Sequence, residues 1–157
     1  MNDAISQTFE FLAQLHPVVQ FLGVLGIGVV PFLESYVAAP VGFGFGMHWS
    51  AAYVAAVLGN VLAVVAAVGL AGWIRGRRTA GRERSARQER VMARVDRWGV
   101  PVASLLAPTV LAISLTSFIL TASGLRARTV ILWNVVASMA WGAITLLGVM
   151  GLFSALS

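Results

Sequence analysis

The sequence predicts an all-α integral membrane protein of two inverted halves, each a re-entrant, broken helical hairpin followed by one transmembrane helix, with an N-terminal interfacial helix in front. Three observations lead there. Hydrophobic residues fill 59% of the 157 positions and charged residues 11%, against roughly a quarter in soluble domains, and mean hydropathy is +0.86. The apolar residues run in four stretches, two of them interrupted by proline and by glycine or hydroxyl residues. All 11 basic residues are arginine, and most crowd between Arg75 and Arg97.

At the N-terminus, residues 1–16, Ile5, Phe9, Leu12 and Leu15 or His16 recur at helical spacing with Gln7, Glu10 and Gln14 between them, the pattern of a helix lying at the membrane surface. Asp3 and Glu10 stand where a secretory signal would carry basic residues, so this segment is expected to be retained. Residues 17–48 follow as the first broken hairpin. Pro31, Glu34 and Pro40, then Gly42, Gly44 and Gly46, cannot sustain an uninterrupted helix facing lipid. Residues 49–74 have neither charge nor proline and are long enough to cross. Ala52, Ala56, Gly59 and Ala63 let another helix approach closely.

Residues 75–97 form an Arg-rich loop with only Glu83, Glu89 and Asp96 against the arginines, and the positive-inside bias puts it in the cytoplasm. Val91, Val95 and Trp98 share a face beside Arg87, Arg90, Arg94 and Arg97, which suits a surface of anionic lipid head groups. The stretch has no fold or aromatic platform of its own for nucleic acid. Residues 98–125, with Pro101, Pro108 and the hydroxyls of Ser114, Thr116, Ser117, Thr121 and Ser123, read as the second broken hairpin. If it returns to the side it came from, Arg126 and Arg128 also lie in the cytoplasm, in keeping with the same bias. Residues 126–153 are the second transmembrane helix, with Ala137, Ala140, Gly142 and Gly148 as its small residues. Trp49, Trp73, Trp98 and Trp133 fall near these boundaries, as interfacial belts require.

A shift of 78 positions lays Gly46-Met47-His48 on Gly124-Leu125-Arg126, Gly59-Asn60 on Ala137-Ser138, and Pro31 one residue from Pro108. Each half is then hairpin, glycine, helix, and the two hairpins open to opposite sides. Inverted repeats of this kind place their sites where broken helices meet near the bilayer midplane.

The candidate site residues follow from that expectation. A lone carboxyl at membrane depth, Glu34, is expected to face a bundle interior or a wet cavity, where it can exchange a proton or hold a cation; the alternative is a structural role, capping N–H groups of the broken helix or reaching the outer interface. Gly42, with Gly44 and Gly46, could expose backbone groups to a substrate, though close helix packing explains these glycines at least as well, and Pro40, Pro108 and Thr116 join the expected pathway as residues of the two broken segments. Asn60 and Asn134 are amides within helices, equally suited to bonds between helices. Arg126 and Arg128 suit either topology anchoring or a phosphate or carboxylate head group. Without cysteine, and with His16 and His48 isolated, neither a metal site nor a bound cofactor is expected. Walker-type loops and nucleophile elbows are missing too, so the chain is not expected to be an enzyme.

The run Gly124-Leu125-Arg126-Ala127-Arg128, with Trp133-Asn134, Trp141-Gly142 and Leu147-Gly148, resembles the C-terminal half of the DedA/VTT (SNARE-associated Golgi protein-like) superfamily. Pro31-Phe32-Leu33-Glu34, Pro40-Val41-Gly42, Gly46 and Leu58-Gly59-Asn60 resemble the small multidrug export type. The chain departs from those patterns at Ser35, where a basic pair is usual, and at Ala107-Pro108-Thr109, which lacks arginines. The resemblance implies two facing re-entrant hairpins and a small transporter in the cell membrane. Its cargo would be a lipid-linked phosphate (a polyprenyl phosphate or a phospholipid) or small cationic compounds. A homo-oligomer is expected because four short elements enclose little volume. The alternative is a non-transporting scaffold or accessory subunit of an envelope or lipid enzyme.

Overall fold

The computed structural model describes residues 14–79 and 95–156, and within them the chain is all-helical, without strands. Most of the expected N-terminal interfacial helix and most of the Arg-rich loop, including Val91, lie outside the described residues. Among the described residues six α-helices follow one another: α1 (Pro17–Val29), α2 (Glu34–Gly44), α3 (Trp49–Thr79), α4 (Val100–Val110), α5 (Ile113–Ala122) and α6 (Ala127–Leu156), with a π-helical turn at Val95–Gly99 leading into α4. At 1.5 Å per residue α3 and α6 are each about 45 Å long and apolar enough to cross a membrane, whereas the other four, at about 15–20 Å, are too short for a core of about 30 Å.

Local chemistry sets the boundaries. Pro17 starts α1 at a position where its missing N–H is no loss, and His16 caps it, Nδ1 accepting from the Val18 N–H at 3.3 Å. Pro31 forces Val30 into an extended conformation (φ −73°, ψ 125°), which ends α1. Pro40 and Pro108, expected to mark the breaks, instead sit inside α2 and α4. Of the prolines only Pro31 lies in a break. Pro101 occupies the first turn of α4, and the second break falls at Leu111 and Ala112, both extended. The hydroxyl run expected to interrupt the second hairpin is helical as far as Thr121, with Ser114, Thr116, Ser117 and Thr121 buried in α5, and only Ser123 lies beyond it as the C-cap. Helix α3 continues past the expected end at residue 74 to Thr79 because Arg77 stacks its guanidinium over Trp73, one turn back, at 3.7 Å, an attraction that supports the final turns.

The 78-residue shift reappears in backbone geometry. α2 and α5 end in the same two-bond cap: Gly46 (φ 82°) donates to Phe43 O at 3.0 Å and Met47 to Gly42 O at 3.2 Å, while Gly124 (φ 99°) donates to Thr121 O at 2.9 Å and Leu125 to Leu120 O at 3.2 Å. Both glycines take the left-handed conformation that closes a Schellman motif. Trp49 and Ala127, the first residues of the two long helices, are separated by the same interval.

The chain divides into two compact units, residues 1–61 with 138–157 and residues 62–137, so each contains one pair of short helices and part of each long helix. In the first unit Val24, Ala38, Ala39, Met47, Ala52, Ala55, Ala56 and Leu146 form the core. Here α1 and α3 cross almost backbone to backbone: a Cβ on Gly28 would lie 2.5 Å from Ala56 O, and one on Gly59 would strike Leu25 O. In this unit α3 and α6 run antiparallel, since Ala52 shares a cluster with Leu146 while Tyr53 Oη donates to Met139 O at 3.0 Å and Asn60 lies near Ser138. The second unit packs Val64, Val68, Val100, Ala107, Ile113, Leu125, Val130 and Ala137, and its α4 and α5 fold back on each other around Leu111.

Along α3 Ala52, Ala55, Ala56, Ala63 and Ala71 are buried together with Val64 and Val68, while Val54, Leu58, Leu62, Val65 and Trp73 are exposed. Large apolar residues on the outer surface suit a helix solvated by hydrocarbon, and the buried alanines suit close approach of another helix.

Candidate functional site

The first unit holds its polar groups in one buried knot. Glu34 opens α2 in its first turn and is fully buried. Its backbone N–H donates to Val30 O at 3.1 Å, across a break in which Phe32 has φ 70°. An aromatic L-residue in that region costs about 1–2 kcal/mol. The Tyr36 hydroxyl, donating to Phe32 O at 2.8 Å, helps to hold it.

Ser35, next in the chain and also fully buried, is the hub. Its hydroxyl donates to Ser138 O at 2.8 Å and accepts from Ser138 Oγ at 2.9 Å and from Asn60 Nδ2 at 3.4 Å. One donation and two acceptances exhaust a serine hydroxyl. Asn60 and Ser138, 78 residues apart and equivalent under the repeat, therefore converge on one atom. Asn60 Oδ1 is left over, buried and without a partner.

The other expected site residues of this unit have structural roles on the page. Pro40 is half-buried within α2. Gly42 is buried, and a Cβ there would come to 2.9 Å from both Ala52 and Val24, so close packing accounts for it. A cavity of about 530 Å³ lies at the capped ends of α1 and α3, with apolar walls from Pro17, Val18, Phe21, Leu22, Met47 and Ala51, and with Gln20 and His48 as its polar side chains. His48 Nδ1 lies 2.8 Å from Ser50 Oγ and accepts from the Ser50 N–H at 3.4 Å, so the neutral ring carries its proton on Nε2.

Pro108, Thr116, Arg126, Arg128 and Asn134 belong to the second unit. Pro108 is half-buried in α4, and Thr116 is buried and borders a cavity of about 340 Å³ between α4 and α5, lined otherwise by Ala103, Leu106, Ala107, Val110, Leu111, Ile119 and Leu120. Asn134 is fully buried, its Nδ2 donating to Val130 O at 2.8 Å and its Oδ1 unpartnered; Ser104 Oγ and Thr121 Oγ1 are unpartnered as well. Arg126 and Arg128 are exposed beside the buried Leu125 and Val130 of the core, to which Val100, three residues after Arg97, also belongs. Arginines thus flank the helix pair α4–α5 on both its outer ends.

Two features escaped the sequence reading. The role of Ser35 could not be found because a single serine in an apolar run carries no periodic signal, and nothing marks Phe32 for a left-handed conformation. Among the described residues no group of three or more His, Cys, Asp or Glu side chains could hold a metal ion. No family model, no curated protein and no solved structure matches this chain.

Proposed function

We propose that this protein is a small multi-pass transporter of the cell membrane, in which α1–α2 and α4–α5 are re-entrant hairpins, the Arg-rich loop is cytoplasmic, and Glu34 is the residue that exchanges a proton or cation. The observation that carries the reading is a fully buried carboxyl at the break of a helix pair too short to span, next to a strained turn. Helix lengths, the large apolar residues exposed along α3, and arginines at both outer ends of α4–α5 support insertion in this orientation. An amphiphile is the cargo that suits apolar cavities and exposed arginines, either a lipid-linked phosphate or a small apolar cation. The motifs resembling the DedA/VTT superfamily point the same way. Anionic lipid head groups at the basic surface and a homo-oligomer belong to the same proposal, the latter through exposed faces of α3 and α6.

One observation favours the alternative of a non-transporting scaffold: Ser35 is fully engaged, and Gly28, Gly42 and Gly59 are explained by packing. Flux separates the two. Purified protein in vesicles, loaded with a fluorescent polyprenyl phosphate, a labelled phospholipid or a cationic dye, is expected to move one of the three across the bilayer, and Glu34→Gln to reduce that flux at least about tenfold while the protein remains folded by circular dichroism. Flux unchanged in the variant would remove Glu34 from the mechanism. Movement of none of the three would leave the scaffold.

A further inference from the structure

We infer that the cavity of about 530 Å³ where α1 and α3 begin holds the hydrocarbon chain of an amphiphile whose head is an oxyanion, a carboxylate or a phosphate, bonded by the Nε2–H of His48. The inference rests on the reading of this chain as a membrane protein that handles amphiphiles, and it narrows that reading to one cavity and one sign of charge. The cavity falls within the range of about 300–1,000 Å³ in which proteins hold small molecules, and it is built as such sites are, with apolar walls and few polar groups. Val18, Phe21 and Leu22 contribute from α1, Met47 from the turn after α2, and Ala51 from α3. These walls are in place without a ligand: Gln20 Nε2 donates to Phe45 O at 3.5 Å, which links α1 to the end of α2, and the cap at Gly46 seats Met47 in the core. Val18 and Leu22 are exposed, so a chain can enter sideways from surrounding hydrocarbon.

The polar groups select the head. Among the described residues no charged side chain lines the cavity. His48 Nδ1 accepts from the Ser50 N–H at 3.4 Å and lies 2.8 Å from Ser50 Oγ, which leaves Nε2 as the protonated nitrogen, a donor without a partner among the described residues. The Trp49 ring, 5.5 Å from the imidazole, is exposed, as suits an aromatic side chain at the membrane surface, the level at which the head and chain of an amphiphile meet. Both helices that start here, α1 from Pro17 and α3 from Trp49, turn their positive ends to the cavity, so an oxyanion is attracted where a cation is repelled.

Photolabelling of the full chain in phosphatidylcholine nanodiscs tests the site. Hexadecanoate and hexadecyl phosphate, each with a diazirine on the chain, are expected to label residues 17–22 and 46–51, located by mass spectrometry of the peptides. Dodecyl phosphate should compete at least about tenfold better than dodecyltrimethylammonium. His48→Leu should weaken labelling about tenfold. His48→Gln, which keeps an N–H at the position, should retain most of it and guards against a leucine variant that does not fold. Ala51→Trp fills the cavity and should abolish labelling. The probe held more tightly identifies the head as that of a free fatty acid or of a lipid phosphate. Labelling spread along the exposed faces of α3 and α6, equal competition by the cation, or labelling unchanged in both His48→Leu and Ala51→Trp would overturn the site. The outcome is separable from transport: flux of a polyprenyl phosphate without labelling here removes this site and leaves the transporter, while labelling here without flux does the reverse.

Discussion

The two units repeat one backbone pattern and differ in chemistry. Residues 14–61 and 138–156 contain no arginine or lysine and one acid, Glu34, whereas all 11 arginines of the chain fall within residues 62–137. In the first unit the buried hydroxyls and the amide are tied together at Ser35, with one acceptor left over; in the second, three buried side-chain atoms on Ser104, Thr121 and Asn134 have no partner. The matched caps at Gly46 and Gly124 belong to the shared pattern, and the polar groups do not. One backbone pattern therefore carries a buried acid in the first unit and the arginines in the second.

The comparison breaks most readily at the glycines of α3, which runs through both units. Gly59→Ala would drive a Cβ into Leu25 O and Gly28 and force α1 from α3, at a cost of about 3 kcal/mol. Gly69→Ala, where nothing lies within 4 Å, should instead stabilise by about 0.5–1 kcal/mol. Unfolding in a graded detergent series measures both. Similar losses at the two positions would mean that close backbone packing is not confined to the first unit.

Next in size is the contrast between the polar groups. Ser35→Ala strips Ser138 Oγ and Asn60 Nδ2 of their acceptor and should cost about 2 kcal/mol. Asn134→Leu removes an amide whose oxygen is already unpartnered, so the loss should stay within about 1 kcal/mol. The reverse order would show the second unit to be the more tightly specified. Smallest is the effect at the repeated caps: Gly46→Ala and Gly124→Ala each put a side chain into left-handed backbone and should cost about 1 kcal/mol. Equal losses would support the duplication, and a several-fold difference would count against it.

Much of this was legible in the sequence, for identifiable reasons. Composition and charge spacing located the two long helices, and Trp49 was expected and found as the start of α3. The pairing of Gly46 with Gly124 could be read because a Schellman cap requires glycine, so backbone geometry leaves a mark on residue type. Burial of Glu34 followed from a charge in an apolar stretch. The breaks were misplaced at Pro40 and Pro108 because a proline removes one backbone donor and weakens a helix without having to end it, and both helices continue through theirs. The end of α3 was set too early because arginines were read as loop, whereas Arg77 works with Trp73 across one helical turn. The knot at Ser35 joins residues up to 103 positions apart, and no local pattern encodes that.

The central claim is that both helix pairs return to the side from which they came, so that the halves are inverted. The chain has no cysteine, which leaves single introduced cysteines as clean reporters. Ser85→Cys and Thr129→Cys, on either side of the α4–α5 pair, should both react with a membrane-impermeant maleimide only when the cytoplasmic face is opened. Labelling of the two from opposite faces would make α4 and α5 together a full crossing and would contradict the inverted arrangement.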